Sequence, residues 1–226
     1  MLKDNIKNIL SYIKNGNVFG EKITVVGASK TMPVNVINDA ISFGLTTLAE
    51  NKVNEFLGKK DSVSGATWHF IGHLQSNKAK HIVGSVSLIH SVDTIKLAEV
   101  INKLALNKGL VQDILLEVNV SKEESKSGFY LEDLNSSLSY VSKLEGVKVK
   151  GLMTMLPLAA SNEEQINYFT KMRETYDTYK EKYNFTTLSM GMSNDYENAI
   201  KCGSNTIRLG TKIFGKRNYG EDNGIF

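Results

Sequence analysis

Short apolar runs of strand type alternate with longer segments of helical periodicity along the chain, and this alternation constrains the fold more than any other feature. Strands are expected at Ile23–Ala28, Thr46–Ala49, Thr67–Ile71, Leu88–Ser91, Ile114–Val118, Val149–Met153, Thr187–Ser189 and Thr206–Leu209. Helical stretches between them include Val34–Phe43, Thr94–Asn107, Leu131–Lys143, Glu163–Tyr183 and Tyr196–Lys201. Pro33 suits a first helical turn, and Asp93 and Ser161 suit N-terminal caps. Such a pattern implies parallel strands with helical crossovers. Eight strands fit an α/β fold of the (β/α)8, TIM-barrel type, although 226 residues is lean against about 250. A doubly wound sheet is the alternative, but no G-x-G-x-x-G follows the first strand. No long helix follows the eighth strand. Leu2, Ile6, Ile9, Leu10 and Ile13 place an amphipathic helix ahead of the first strand, where it can complete the outer ring. Two prolines and no Gly/Ser linker give no place to divide the chain, so one domain is expected over residues 1–226.

Charge and cysteine usage narrow the classes of function. Net charge is +3 and the lysines are scattered among acids, which argues against a dedicated nucleic-acid surface. One cysteine, Cys202, excludes an internal disulfide framework and suits a reducing compartment. No apolar run approaches the ~20 residues that span a bilayer. Charges interrupt the apolar positions of "MLKDNIKNILSYIKNG", so it is no secretory signal. A cytoplasmic protein is expected, with neither a membrane nor a nucleic acid as partner.

The functional face of a barrel lies at the C-terminal ends of its strands. Residues expected there are Lys30, Glu50, Asn51, Gly72, His73, Asp93, Asn119 and Thr154, followed by "SMGMS" (Ser189–Ser193) and "RLGT" (Arg208–Thr211). Small residues thus gather after strands seven and eight, where barrels frequently bind phosphate. Gly191 and Gly210 allow close backbone approach, Ser193 and Thr211 offer hydroxyls, and Ser193 is placed to cap the helix that begins near Asp195. Either loop alone reads equally as ordinary turn; the two together favour phosphate. Lys30, at the end of strand one, becomes their neighbour once the barrel closes. A ligand with an aldehyde at one end and a phosphate at the other would span them, and pyridoxal 5'-phosphate has that form. Lys30 would make the imine, a low-dielectric strand end favouring the neutral, nucleophilic amine.

These segments also carry a resemblance. "VVGASKTMP", "ENKVNE", "WHFIGHLQSNK", "SKSGF", "KGLMTM", "SMGMSNDYENAIKCGS" and "TIRLGTKIFG" resemble the successive motifs of the pyridoxal-phosphate homeostasis protein family, single-domain relatives of the alanine racemase barrel. The similarity runs from about Ile23 to Arg217, in the family's order. It implies Lys30 as the Schiff-base lysine and Ser193, Gly210 and Thr211 as phosphate contacts. It further implies Arg208 beside the pyridine nitrogen, with Asn51 and the Met192 backbone lining the pocket.

A guanidinium at that nitrogen disfavours a second positive charge and makes the ring a poorer electron sink, which suits holding the cofactor better than broad amino-acid chemistry. Racemisation needs a base on each face of Cα. In the racemases that this barrel resembles, the second base is a tyrosine from a C-terminal β domain of the partner subunit, and this chain ends at Phe226, soon after the last barrel motif. Tyr219 is a conceivable substitute without support from its spacing. A monomer is expected on the same ground. The leading expectation is therefore a non-enzymatic carrier that buffers pyridoxal phosphate and delivers it to apo enzymes. A racemase or related enzyme using the same imine is the alternative, and a barrel enzyme for a phosphorylated metabolite the third reading. His69 and His73 lie on a strand and its exit, where helix-face metal spacing does not apply, and no metal is expected. His73 reads as a structural or cofactor-flanking histidine, Lys126 as an exposed lysine, an anion contact or a second aldehyde acceptor, and Cys202 as packed within a helix.

Overall fold

The computed structural model describes residues 1–215; Arg217 and Tyr219 lie outside them. Its strands are β1 (Thr24–Ala28), β2 (Thr47–Glu50), β3 (Thr67–Phe70), β4 (Leu88–Val92), β5 (Gln112–Glu117), β6 (Val147–Met153), β7 (Thr187–Met192) and β8 (Thr206–Leu209). They pair in sequence order as one closed parallel barrel. β8 returns to β1, with Val25 opposite Ile207 and Val26 opposite Arg208. This is the (β/α)8 architecture expected from the alternation.

The helices are α1 (Leu2–Tyr12), α2 (Val34–Ser42), α3 (Val53–Lys59), α4 (Ile95–Asn107), α5 (Leu134–Val141), α6 (Asn162–Tyr183), α7 (Tyr196–Lys201) and α8 (Thr211–Phe214). A six-residue 3-10 segment, Ser76–His81, joins β3 to β4. α8 has only four residues, and α1 packs against it and against α2. Ile6 and Ile9 of α1 are buried, and the Asn5 amide donates to the Ile213 carbonyl at 2.9 Å. The opening helix therefore completes the ring. α6 starts on a capping box in which Ser161 accepts from the Glu164 N–H and Glu164 reaches back to the Ser161 N–H. α4 is capped by Thr94, whose hydroxyl accepts from Leu97 N–H, and not by Asp93 as the sequence suggested. Cys202 sits just past the end of α7 rather than within it.

Alternation along each strand sorts side chains between two cores. Outward residues such as Val25, Leu48, Phe70, Ile89, Leu116 and Ile207 pack beneath the helices. A smaller apolar cluster, Leu88, Leu115 and Met153, forms apart from them. Strand limits differ from expectation mainly at β5 and β6, which each begin two residues earlier, at Gln112 and Val147, and at β7, which runs three residues further to Met192. Among the described residues, no helix is long and apolar enough to cross a membrane.

Candidate functional site

The C-terminal ends of the strands open into a cavity of about 640 Å³, a size ordinary for small-molecule sites. Lys30, Asn51, Met192, Ser193, Arg208, Gly210 and Thr211 all border it. Gly72, His73, Asn119 and Lys126 border it too, whereas Glu50, Asp93, Thr154 and Ser189 stand outside its lining. Glu50 ends β2 wholly buried, its carboxylate turned to Ser29 and Lys59. The next residue, Asn51, enters the cavity wall and keeps a buried Oδ1 without a hydrogen-bond partner among the described residues. Gly72 permits this course of the chain, because a Cβ there would collide with the Asn51 carbonyl.

Arg208 reaches inward from β8 and is 4% exposed. Its Nη1 donates to the Ser189 carbonyl at 2.9 Å and to Ser189 Oγ at 2.6 Å, and Nη2 donates to the Thr154 carbonyl at 2.8 Å. Burial lowers its pKa to about 10, with Glu117 and Asp195 opposing the shift, so the guanidinium stays charged at neutral pH. It is a fixed cation gripped by neutral oxygens and is no member of a surface ion pair.

A chain of polar side chains continues from it. His90 Nδ1 lies 3.0 Å from Ser189 Oγ, and His90 Nε2 lies 3.0 Å from His69 Nδ1. Ser189 Oγ, which accepts from Arg208, can donate its own hydrogen to His90 Nδ1; the His90 proton then lies on Nε2, facing His69, and the order reverses where His90 Nδ1 donates to Oγ instead. Burial lowers His69 to about 4 and drives His90 well below the ordinary histidine range. Both rings are neutral at pH 7, leaving Arg208 as the charge of this layer.

On the β7–β8 side the two small-residue loops are tied together. Ser193 Oγ accepts from Gly210 N–H at 3.2 Å and Lys212 N–H at 3.3 Å. The hydroxyl does not cap α7 as the sequence suggested; Asp195 occupies that N-cap position, and its Oδ1 accepts from Met192 N–H at 2.5 Å. Gly191 does mark a close approach, but to the protein itself: its φ is +96°, and a Cβ would fall 2.6 Å from Ala199. At Gly210 a Cβ meets nothing nearer than 3.6 Å, so packing within the chain leaves open space there.

The chain is similar to known proteins over most of its length. The family described as alanine racemase, N-terminal domain, matches residues 2–218. The pyridoxal phosphate homeostasis protein of Aquifex aeolicus (strain VF5) is 45% identical over 199 residues, covering 86% of this chain and 87% of that one. Its namesake in Escherichia coli (strain K12) is 35% identical over 205 residues, 88% of each chain. The chain belongs to the pyridoxal phosphate homeostasis protein family. Among solved structures, PipY of Synechococcus elongatus PCC7942 is 30% identical and covers 95% of this chain and 100% of that one. Its TM-score is 0.87 without PLP and 0.85 with PLP bound. An alanine racemase of Clostridium difficile 630, 17% identical with a TM-score of 0.73, shares the barrel fold over 98% of this chain and 57% of its own.

Within this family member, Glu117 and His90 escaped the sequence reading, whereas Lys126 and His73 did not. Glu117, 6% exposed, lines the cavity. Burial and then the Asp93 charge push its pKa up to about 7, against the pull of Arg208 and Lys126. Lys126 borders the same cavity and donates to the Met155 carbonyl at 3.2 Å; burial lowers its pKa. His73, with its side chain 64% exposed, lies 3.2 Å from Asp93 Oδ2 at the rim. His90, unremarked in the sequence, is the wholly buried centre of the polar chain.

Proposed function

We propose that the protein holds pyridoxal 5'-phosphate in this cavity through a Schiff base to Lys30, and that it buffers and delivers the cofactor inside the cell rather than turning over a substrate. The observation that carries this reading is the convergence of three unlike groups on one cavity. They are the Lys30 amine, the buried Arg208 cation, and the Ser193, Gly210 and Thr211 loops. The residues fit such a ligand: Asn51 offers an acceptor without a partner among the described residues, and Gly210 leaves room beside Ser193 and Thr211. PipY, which has the same barrel, has been solved with PLP bound. The relatives named above are homeostasis proteins, a name that carries no catalytic activity.

Each residue has a distinct task in this reading. Lys30 captures the aldehyde. Ser193, Gly210, Thr211 and the Met192 backbone hold the phosphate end and the ring edge, and Asn51 orients the ring. Arg208 faces the pyridine nitrogen. Bound pyridoxal phosphate supplies an electrophilic aldehyde and a conjugated ring that can accept electrons. A fixed cation at the nitrogen restrains the second of these properties and leaves the first intact. Recipients are apo forms of enzymes that need the cofactor.

The test is a visible spectrum of the purified protein with added pyridoxal phosphate, followed by borohydride reduction and peptide mapping. An absorbance band that reduction removes, with a phosphopyridoxyl mass on Lys30, is the expected result. No band, or adducts scattered over surface lysines, would refute the cofactor reading. Isotope exchange at Cα of added amino acids at the rate of a working enzyme would instead move the protein to the racemase class.

A further inference from the structure

Lys30 lies between two residues that are held with unusual firmness. On one side, Ser29 is completely buried. Its N–H donates to the Ala49 carbonyl at 3.0 Å, and its hydroxyl donates to Glu50 Oε1 at 2.7 Å. Its carbonyl accepts from Lys59 Nζ at 2.9 Å. On the other side, Thr31 N–H donates to Glu55 Oε2 at 2.7 Å. Thr31 has a φ of +66°, left-handed backbone that a β-branched residue seldom adopts and that needs its surroundings to hold it.

The two grips are joined. Lys59 Nζ stands 2.8 Å from Glu50 Oε1 and 3.5 Å from Glu55 Oε2. One ammonium thus links the carboxylate that fixes Ser29 to the carboxylate that fixes Thr31. Glu55 and Lys59 lie one turn apart on α3, and Glu50 ends the strand that precedes it. The β2–α3 unit therefore reaches across to β1 and holds the backbone on both flanks of Lys30.

We propose that Glu50, Glu55 and Lys59 are positioning residues, a charged clamp that aims the Lys30 amine at the aldehyde. None of the three touches the ligand in this arrangement; they act through the Ser29–Thr31 backbone. Reaction of an amine with a carbonyl depends steeply on approach geometry, and a loosened segment loses rate before it loses the cavity. The inference rests on the function proposed for Lys30.

Two ligands separate positioning from mere support. Pyridoxal 5'-phosphate needs both cavity and amine, whereas pyridoxine 5'-phosphate has the same ring and phosphate but no aldehyde. In Glu55→Ala, stopped-flow absorbance should show imine formation slowed by about tenfold or more, with pyridoxine phosphate affinity unchanged. Glu55→Gln keeps an acceptor for Thr31 N–H and should restore the rate. Removing Lys59 alone would strand a buried Glu50 charge and risks unfolding. It is therefore tested as Lys59→Met together with Glu50→Gln, with the same split between ligands expected. An unchanged imine rate in Glu55→Ala, or equal loss of both ligands, overturns the clamp. If the wild-type protein forms no adduct on Lys30, the functional reading falls and the clamp with it. A wild-type adduct alongside indifferent variants overturns the clamp alone.

Discussion

Glu117→Gln in the ligand-free protein is the perturbation whose magnitude follows most directly from the structure. The carboxyl is 6% exposed and displaced from 4.5 to about 7, chiefly by burial. Between those values the folded protein keeps a proton that the unfolded chain has released. Stability therefore falls as pH rises through that window and stays low above it. The displacement corresponds to about 3 kcal/mol carried as a penalty at pH 8.5 and nearly absent at pH 4. Glutamine has nearly the same shape and no charge to desolvate. The variant should melt close to wild type at pH 4 and about 6–12 °C above it at pH 8.5, given the usual melting response of a chain this size. Differential scanning fluorimetry across this range reads the difference. A gap between the two proteins that does not change with pH would refute the reasoning, because Glu117 would then be solvated in the cavity wall.

The neutral His69–His90 pair works in the opposite sense. With folded pKa values depressed, its stabilisation is complete above about 6.5 and is lost as pH falls toward 4, by about 3 kcal/mol for His69 alone. Urea unfolding at pH 7 and pH 5 in the Glu117→Gln background isolates it, and imidazole signals titrating near 6.5 would contradict it. At the opposite end of the barrel, burial raises Glu21 but hydrogen bonds from Arg173, Asn17 and Lys180 outweigh it and hold the carboxyl at about 2. That contribution is present above pH 4.5 and lost as pH falls toward 2. Arg173→Met, which removes a 2.7 Å contact to Glu21 and a 2.8 Å contact to Asp177, should destabilise by about 2 kcal/mol at pH 7 and flatten the acid limb of the stability curve. Gly72→Ala should lose about 1–3 kcal/mol and weaken pyridoxal phosphate binding together, since the added methyl displaces Asn51; a variant that melts and binds like wild type would count against that packing.

The barrel was legible because its strands are short apolar runs flanked by helices with clear periodicity, and periodicity is what burial imposes. The cavity-lining residues could be anticipated for a related reason: once the strands are placed, the residues just beyond their ends must meet at one mouth. Glu117 was hidden by the same rule. It lies inside an apolar run between Leu116 and Val118, and only the inward turn of alternate residues puts it in the cavity wall. β7 ran past Ser189 because Met190 stays in the outer core, a fact that a glycine at the next position obscured. The cap of α4 fell one residue from expectation because Asp93 and Thr94 are both good N-caps and only the backbone geometry separates them. Ser193 illustrates a deeper limit. Its residue borders the cavity, yet the partners of its hydroxyl, Gly210 and Lys212, lie on another loop and become visible only when β7 and β8 are side by side. The clamp around Lys30 is of the same kind, since nothing in "ENKVNEFLGK" announces that its acids and lysine grip a segment 20 or more residues earlier.

The polar interior gives the proposed function its chemical sense. A buried arginine is usually matched by a carboxylate, which would share its charge and free the site to stabilise a cation elsewhere. Arg208 is held instead by two backbone carbonyls and one hydroxyl, and that hydroxyl is oriented by a histidine kept neutral by burial. Glu117 and Asp195 act on it through space alone, and its charge faces the cavity that they share. A pyridine nitrogen placed against it has every reason to stay unprotonated, while the aldehyde at the other edge of the ring remains open to Lys30. Capture and release of an aldehyde need only that second property. In the proposed function, the residues that fix Arg208 would thus favour holding the cofactor over using it, and they would do so from inside the barrel wall.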